Sequence, residues 1–188
     1  MFICTRQIDI NARFGLPRLA FLGFVTTIIS FLICYEIMHY YSNEPLTDHY
    51  FLLFVLGALL LYPLHKVFHL LFLLPYYKSF RIYKINKKKA LPFYNVYVNT
   101  PVNKYYFALG LILPFIIITA LGIILTKHFL SLGHYFMFIV ALNMGFSILD
   151  FLYLKMILLS NEGNYIEEHQ TGINILSKVN SKQHALHK

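Results

Sequence analysis

The chain has 188 residues, 58% of them hydrophobic and only 13% charged, and its formal net charge is +8. Hydrophobicity at that level, gathered into long blocks, excludes an ordinary soluble domain and points to a membrane protein. Two cysteines, Cys4 and Cys34, cannot staple a disulfide framework, and the chain carries no phosphate-cradling glycine loop, nucleophile elbow or internal repeat.

In chain order, a short N-terminal arm precedes an apolar block at about 19–41, which no small-residue cleavage site follows, so it reads as a span rather than a removed signal. Further blocks lie at about 50–74, 105–125 and 134–159. Each reaches the roughly 20 residues that a helix needs to cross a bilayer. The connection 75–104 contains two stretches, 79–85 and 92–98, rich in aromatic and β-branched residues and separated by the polar run Asn86-Lys87-Lys88-Lys89, a β-hairpin pattern. Residues 160–188 form a polar tail, expected to be poorly ordered. The predicted fold is an all-α integral membrane protein: one membrane domain over 1–159, with four transmembrane helices and a short cytoplasmic β-hairpin between the second and third, then a polar cytoplasmic tail.

Charge sorting orients these spans. Arg6, Arg13 and Arg18 lie in the arm; Lys78, Arg81, Lys84, Lys87, Lys88, Lys89 and Lys104 in the second connection; Lys178, Lys182 and Lys188 in the tail. The first and third connections hold only Lys127 between them. Loops rich in Lys and Arg stay in the cytoplasm, so both termini and the second connection are expected there, in a multi-pass protein of the cell membrane. Topology thus explains the basic excess, and nucleic acid is not an expected partner.

Polar residues within the spans carry the functional signal. The second span reads LLLYPLHKVFHLLFLL from Leu59 to Leu74. His65 and His69, at i and i+4, share one helix face a turn apart, the spacing by which one helix offers two imidazoles to a zinc ion. A hydrogen bond across a helix interface is the competing use. Pro63 removes the helical partner of the Leu59 carbonyl just before them. The last span holds one acid, Asp150, with Asn143 and Ser147 on the same face. At ~1.5 Å per residue, both histidines lie roughly 8–14 Å, and Asp150 roughly 14 Å, from the inner ends of parallel spans. A carboxylate at that depth protonates or finds a cation, and a zinc shared by His65, His69 and Asp150 satisfies all three. Glu36, with His39 a turn on, and Lys155 lie near helix ends, where they can snorkel to water.

This pattern resembles the site-2-protease-like membrane metallopeptidases, and more closely a bacterial family of small multi-span proteins described as zincin peptidases of unknown function. The resemblance runs from about Leu59 to Leu159 and rests on His65-Lys-Val-Phe-His69, the basic extended connection, the helix around Leu113-Pro114, and Asn143-Met-Gly-Phe-Ser-Ile-Leu-Asp150. It implies that His65, His69 and Asp150 hold a zinc cofactor. In such enzymes a glutamate follows the first histidine as general base; here that position is Lys66. A protonated lysine cannot take a proton, so Lys66 as base would have to act neutral, a form that burial and zinc charge favour. Glu162, Glu167 and Glu168 could supply a carboxylate, but nothing in the sequence places them at the site.

Three readings follow. The first is a zinc-binding intramembrane metallopeptidase with Lys66 as its unusual catalytic-position residue, acting on a membrane-embedded peptide or protein. The second is a non-catalytic membrane scaffold or partner-binding protein that keeps the fold. The third, a proton or metal path, fits four spans and one cluster less well. The hairpin either pairs with an unwound substrate strand by edge addition, as the resemblance implies, or lies on anionic membrane lipids.

Overall fold

A computed structural model describes residues 1–42, 44–84 and 94–178. In chain order it contains β1 (Phe2–Ile8), the short α1 (Ile10–Phe14), α2 (Leu16–Tyr41), α3 (Phe51–Phe72), β2 (Phe80–Lys84), β3 (Tyr94–Val98), β4 (Val102–Asn103), α4 (Lys104–His128), α5 (Gly133–Phe146), α6 (Ile148–Leu159), β5 (Tyr165–His169) and β6 (Gly172–Lys178).

The three long helices α2, α3 and α4 are each long and apolar enough to cross a membrane, and α5 with α6 makes a fourth crossing if the pair, bent by 44°, counts as one span. Their outward faces expose large apolar side chains such as Phe21, Leu52 and Leu59. A contiguous apolar surface of that kind suits lipid rather than water. Between helices, small residues let backbones approach. Gly23 of α2 and Gly145 of α5 are an example: a Cβ on Gly145 would overlap the Thr27 hydroxyl and come within 2.7 Å of the Gly23 carbonyl oxygen. α4 begins at Asn103, whose side-chain oxygen accepts the Tyr105 and Tyr106 N–H groups that the first turn leaves unpaired.

Within the 79–85 and 92–98 stretches, residues 80–84 and 94–98 pair as the antiparallel hairpin β2–β3, with Phe80 opposite Val98 and Lys84 opposite Tyr94. The lysine run between them lies outside the described residues. A second, antiparallel sheet has the order β1-β6-β5-β4. This corrects two expectations: the fold is not helical apart from one hairpin, and the segment 160–188 is not simply a polar tail. Its residues 165–178 form β5 and β6 around a Gln170–Thr171 turn, with β1 added from the far end of the chain. The cause is apolar alternation. Ile166, Ile173 and Ile175 are buried, and they join Ile8, Val98, Val102, Phe107 and Ile157 in one core at one end of the helices. Residues 179–188, with Lys182, His184, His187 and Lys188, lie outside the described residues. The sheet gathers the N-terminal strand, the end of the second connection and the C-terminal hairpin on one side of the helices. At the opposite end the first and third connections meet, where the Thr47 N–H donates to the Ser131 carbonyl.

Candidate metal centre

α3 runs through Pro63 and presents His65 and His69 inward, and the bend at Ser147 turns Asp150 of α6 toward them. His65 Nε2 lies 3.0 Å from Asp150 Oδ2 and 3.2 Å from His69 Nε2, and His69 Nε2 lies 3.5 Å from the same carboxylate oxygen. His65 and Asp150 are buried and His69 nearly so.

The tautomers follow from the partners on the far side of each ring. Asn143, wholly buried in α5, donates its Nδ2 hydrogens to the Phe115 carbonyl and to Thr119 Oγ1, both 3.2 Å away. A carbonyl can only accept, so the amide is fixed with Oδ1 toward His65, 3.0 Å from Nδ1. His65 therefore donates from Nδ1. His69 Nδ1 faces the Gly110 carbonyl at 2.9 Å and must donate as well. With both ring protons committed, the two Nε2 lone pairs and the Asp150 carboxylate converge with no donor among them. Three acceptors in one buried spot require a cation or an extra proton.

The spacing is at most about 0.3 Å tighter than a zinc ion needs. Bonds of ~2.0–2.2 Å in tetrahedral directions set ligand atoms roughly 3.3–3.6 Å apart, against 3.0, 3.2 and 3.5 Å here. The outer hydrogen bonds from Nδ1 to Asn143 and Gly110 are of the kind that orient metal-binding histidines.

The Gly110 carbonyl is free for this task because of Pro114. Four residues on, where a helix would supply an N–H, the proline has none. Pro114 is thus the signal that could have located the His69 partner from sequence. Ser147 donates its hydroxyl to the Asn143 carbonyl at 2.8 Å and makes no hydrogen bond to either histidine. Glu36 and His39 lie exposed on α2, apart from the cluster.

A cavity of ≈ 430 Å³ opens beside the cluster, between α3, α4 and α6 on one side and β3, β5 and β6 on the other. Lys66, His69 and Asp150 line it from the helices, and Val96, Val98 and Glu168 from the strands. Glu168, which sequence reasoning could not place, therefore faces the same space as Lys66. Glu167 is not among the lining residues.

The profile of a protein family described as "Putative zincin peptidase" matches residues 58–165, a span that includes His65, His69 and Asp150. No curated protein and no solved structure matches the chain.

Proposed function

With that match covering more than half of its length, the chain belongs to the putative zincin peptidase family, and we propose that it is a zinc-dependent, site-2-protease-like intramembrane metallopeptidase. The observation that carries the reading is the convergence of two imidazole lone pairs and one carboxylate, with both Nδ1 protons already engaged elsewhere. His65, His69 and Asp150 would hold the ion. Zinc bound there would polarise a scissile carbonyl and acidify a water molecule beside it.

The remaining residues prepare the space around that chemistry. Asn143 and Gly110 hold the imidazoles in the metal-binding tautomer. Lys66 stands where the usual motif carries glutamate, and it lines the cavity, where its charge can stabilise negative charge developing on the substrate carbonyl. The substrate is a membrane-embedded peptide or protein, entering as an extended segment. Its strand would pair with the edge of β3: the Asn99 N–H donates to the Ser79 carbonyl, so the Val96 main-chain groups and the Val98 carbonyl point away from β2, on the strand that lines the cavity.

One observation favours a second reading, a non-catalytic scaffold that keeps the metal site. It is Lys66 itself, a residue that carries charge but supplies no carboxylate. The test is elemental analysis of protein purified without chelators and incubated with stoichiometric zinc, followed by a cleavage assay on a membrane-embedded reporter peptide. About one zinc per chain is expected in wild type and in Lys66→Met alike, since the lysine is no ligand. Absence of zinc from wild type would remove both readings; zinc with no cleavage would select the scaffold.

We further propose that the chain sits in the cell membrane with both termini in the cytoplasm, a reading supported by the basic arm, second connection and tail. Cys4, exposed on β1, and Asp48, exposed at the opposite end, make this testable. An impermeant maleimide should label a cysteine at position 48 in intact cells and Cys4 only after lysis. Labelling of Cys4 in unbroken cells would reverse the orientation.

A further inference from the structure

Across the cavity from His69 lies a carboxylate that the reading above does not use. Glu168 sits on β5 two residues after Ile166, so the two share a face of the strand, and Ile166 is wholly buried in the core under the sheet. An inward strand position of this kind ordinarily takes an apolar residue, and a carboxylate there carries a desolvation cost that must be offset. Its one hydrogen-bond partner among the described residues is the Val98 N–H, 2.9 Å from Oε2, on the free edge of β3. The other face of the carboxylate looks into the cavity shared with Lys66, His69 and Asp150.

We propose that Glu168 is the proton-transfer group of the site, supplied from a strand on the opposite wall in place of a glutamate following His65. The inference rests on the metallopeptidase reading and names the residue that completes it. As the water oxygen bonds to the scissile carbonyl carbon, one of its O–H bonds breaks and the Glu168 carboxylate takes that proton. As the C–N bond breaks, the proton passes to the departing nitrogen, so the products are a carboxyl and an amino terminus and Glu168 returns to its starting form. Lys66 then has a role that needs no loss of its proton: its positive charge lies near enough to favour the ionised form of Glu168. Burial pushes the Glu168 carboxyl up, while the Val98 hydrogen bond and the Lys66 charge pull it part of the way back and Asp150 raises it again. A carboxyl held above its ordinary range is suited to accept and return a proton near neutral pH.

A test that needs no known substrate uses cobalt(II) in place of zinc and acetohydroxamic acid as the probe. The hydroxamic acid gives up a proton when it chelates a metal, and a neighbouring carboxylate that takes that proton strengthens binding by a charge-assisted hydrogen bond. Full-length wild type, Glu168→Gln and Glu167→Gln are loaded with cobalt, and the probe is titrated by visible absorption. All three should load equally. Glu168→Gln should bind the probe at least tenfold more weakly, the range expected for loss of a hydrogen bond to a charged group, while Glu167→Gln should match wild type. Equal affinity of Glu168→Gln and wild type would overturn the proposal and leave the metal site standing. Failure of wild type to take up cobalt would overturn the metallopeptidase reading, and the proposal with it. Should Glu168→Gln fail to fold, Glu168→Asp keeps the charge but withdraws it by one methylene; its affinity should fall below that of wild type, and an unchanged value would again count against Glu168.

Discussion

Replacing His65 with alanine is expected to leave the protein with less than about a tenth of a zinc ion per chain, measured by elemental analysis after purification without chelators. The loss should exceed that of a single ligand. The His65 ring contributes one donor atom at the centre of the cluster and also ties Asn143 on its far side. Without it, only His69 and Asp150, 3.5 Å apart, are left to hold the ion, and two protein ligands seldom retain zinc against competition. Thermal unfolding provides an independent readout. A ligand that binds only the folded state at a hundred times its dissociation constant stabilises it by about 2.7 kcal/mol, so zinc should raise the wild-type Tm by several degrees and leave His65→Ala unmoved. A different physical picture makes the opposite forecast. If an extra proton, rather than a metal, joins the imidazoles to Asp150, the cluster is a buried ion pair. Wild type would then be indifferent to zinc and to chelator, while His65→Ala would still lose stability by leaving the buried carboxylate with only the longer 3.5 Å contact to His69. That combination would sink the metal reading.

The sequence made some of this legible for identifiable reasons. The helices follow from uninterrupted apolar runs, and a hairpin follows from the aromatic and β-branched alternation around 79–98, where β2 and β3 form. The meeting of His65, His69 and Asp150 was accessible because depth in a membrane is a coordinate that a sequence carries: residues counted from the ends of two parallel spans can be compared directly. No such coordinate exists for the strands. β1 pairs with β6 across almost the whole chain, Phe2 opposite Lys178. The alternation in Gly172-Ile-Asn-Ile-Leu-Ser-Lys178 is short and set among polar residues, so composition alone suggested a tail. Glu168 was hidden for the same reason. Its place at the cavity depends on register, on β5 lying beside β4 and on the free edge of β3 facing it, and a one-residue slip would have presented Glu167 instead. The partners of the imidazoles were half visible. Asn143 stood on the face of Asp150, whereas the Gly110 carbonyl required recognising Pro114 as the residue that frees it.

Asn143 therefore supports the second large prediction, because it sets the protonation state of His65 without touching the ion. Asn143→Leu keeps nearly the same volume in a position with no exposed surface, so the packing of α5 against α4 should survive. What it removes is the acceptor for the His65 Nδ1 proton, together with the donors to the Phe115 carbonyl and Thr119. With no acceptor behind it, the ring loses its reason to keep the proton on Nδ1. The alternative tautomer places the proton on Nε2, where it bonds Asp150 and blocks the lone pair that a metal needs. Zinc affinity should fall by roughly 10- to 100-fold, the usual cost of losing an outer hydrogen bond to a metal-binding histidine. The measurement is competition against a chelating dye in detergent. Asn143→Asp separates this electronic role from simple packing: it restores an acceptor facing His65 but gives up the donor to Phe115. Its zinc affinity should therefore recover toward wild type while its metal-free Tm stays lowered. Should Asn143→Leu bind zinc as tightly as wild type, the tautomer argument would fail, and the three lone pairs would have to be reconciled by a proton already resident among them.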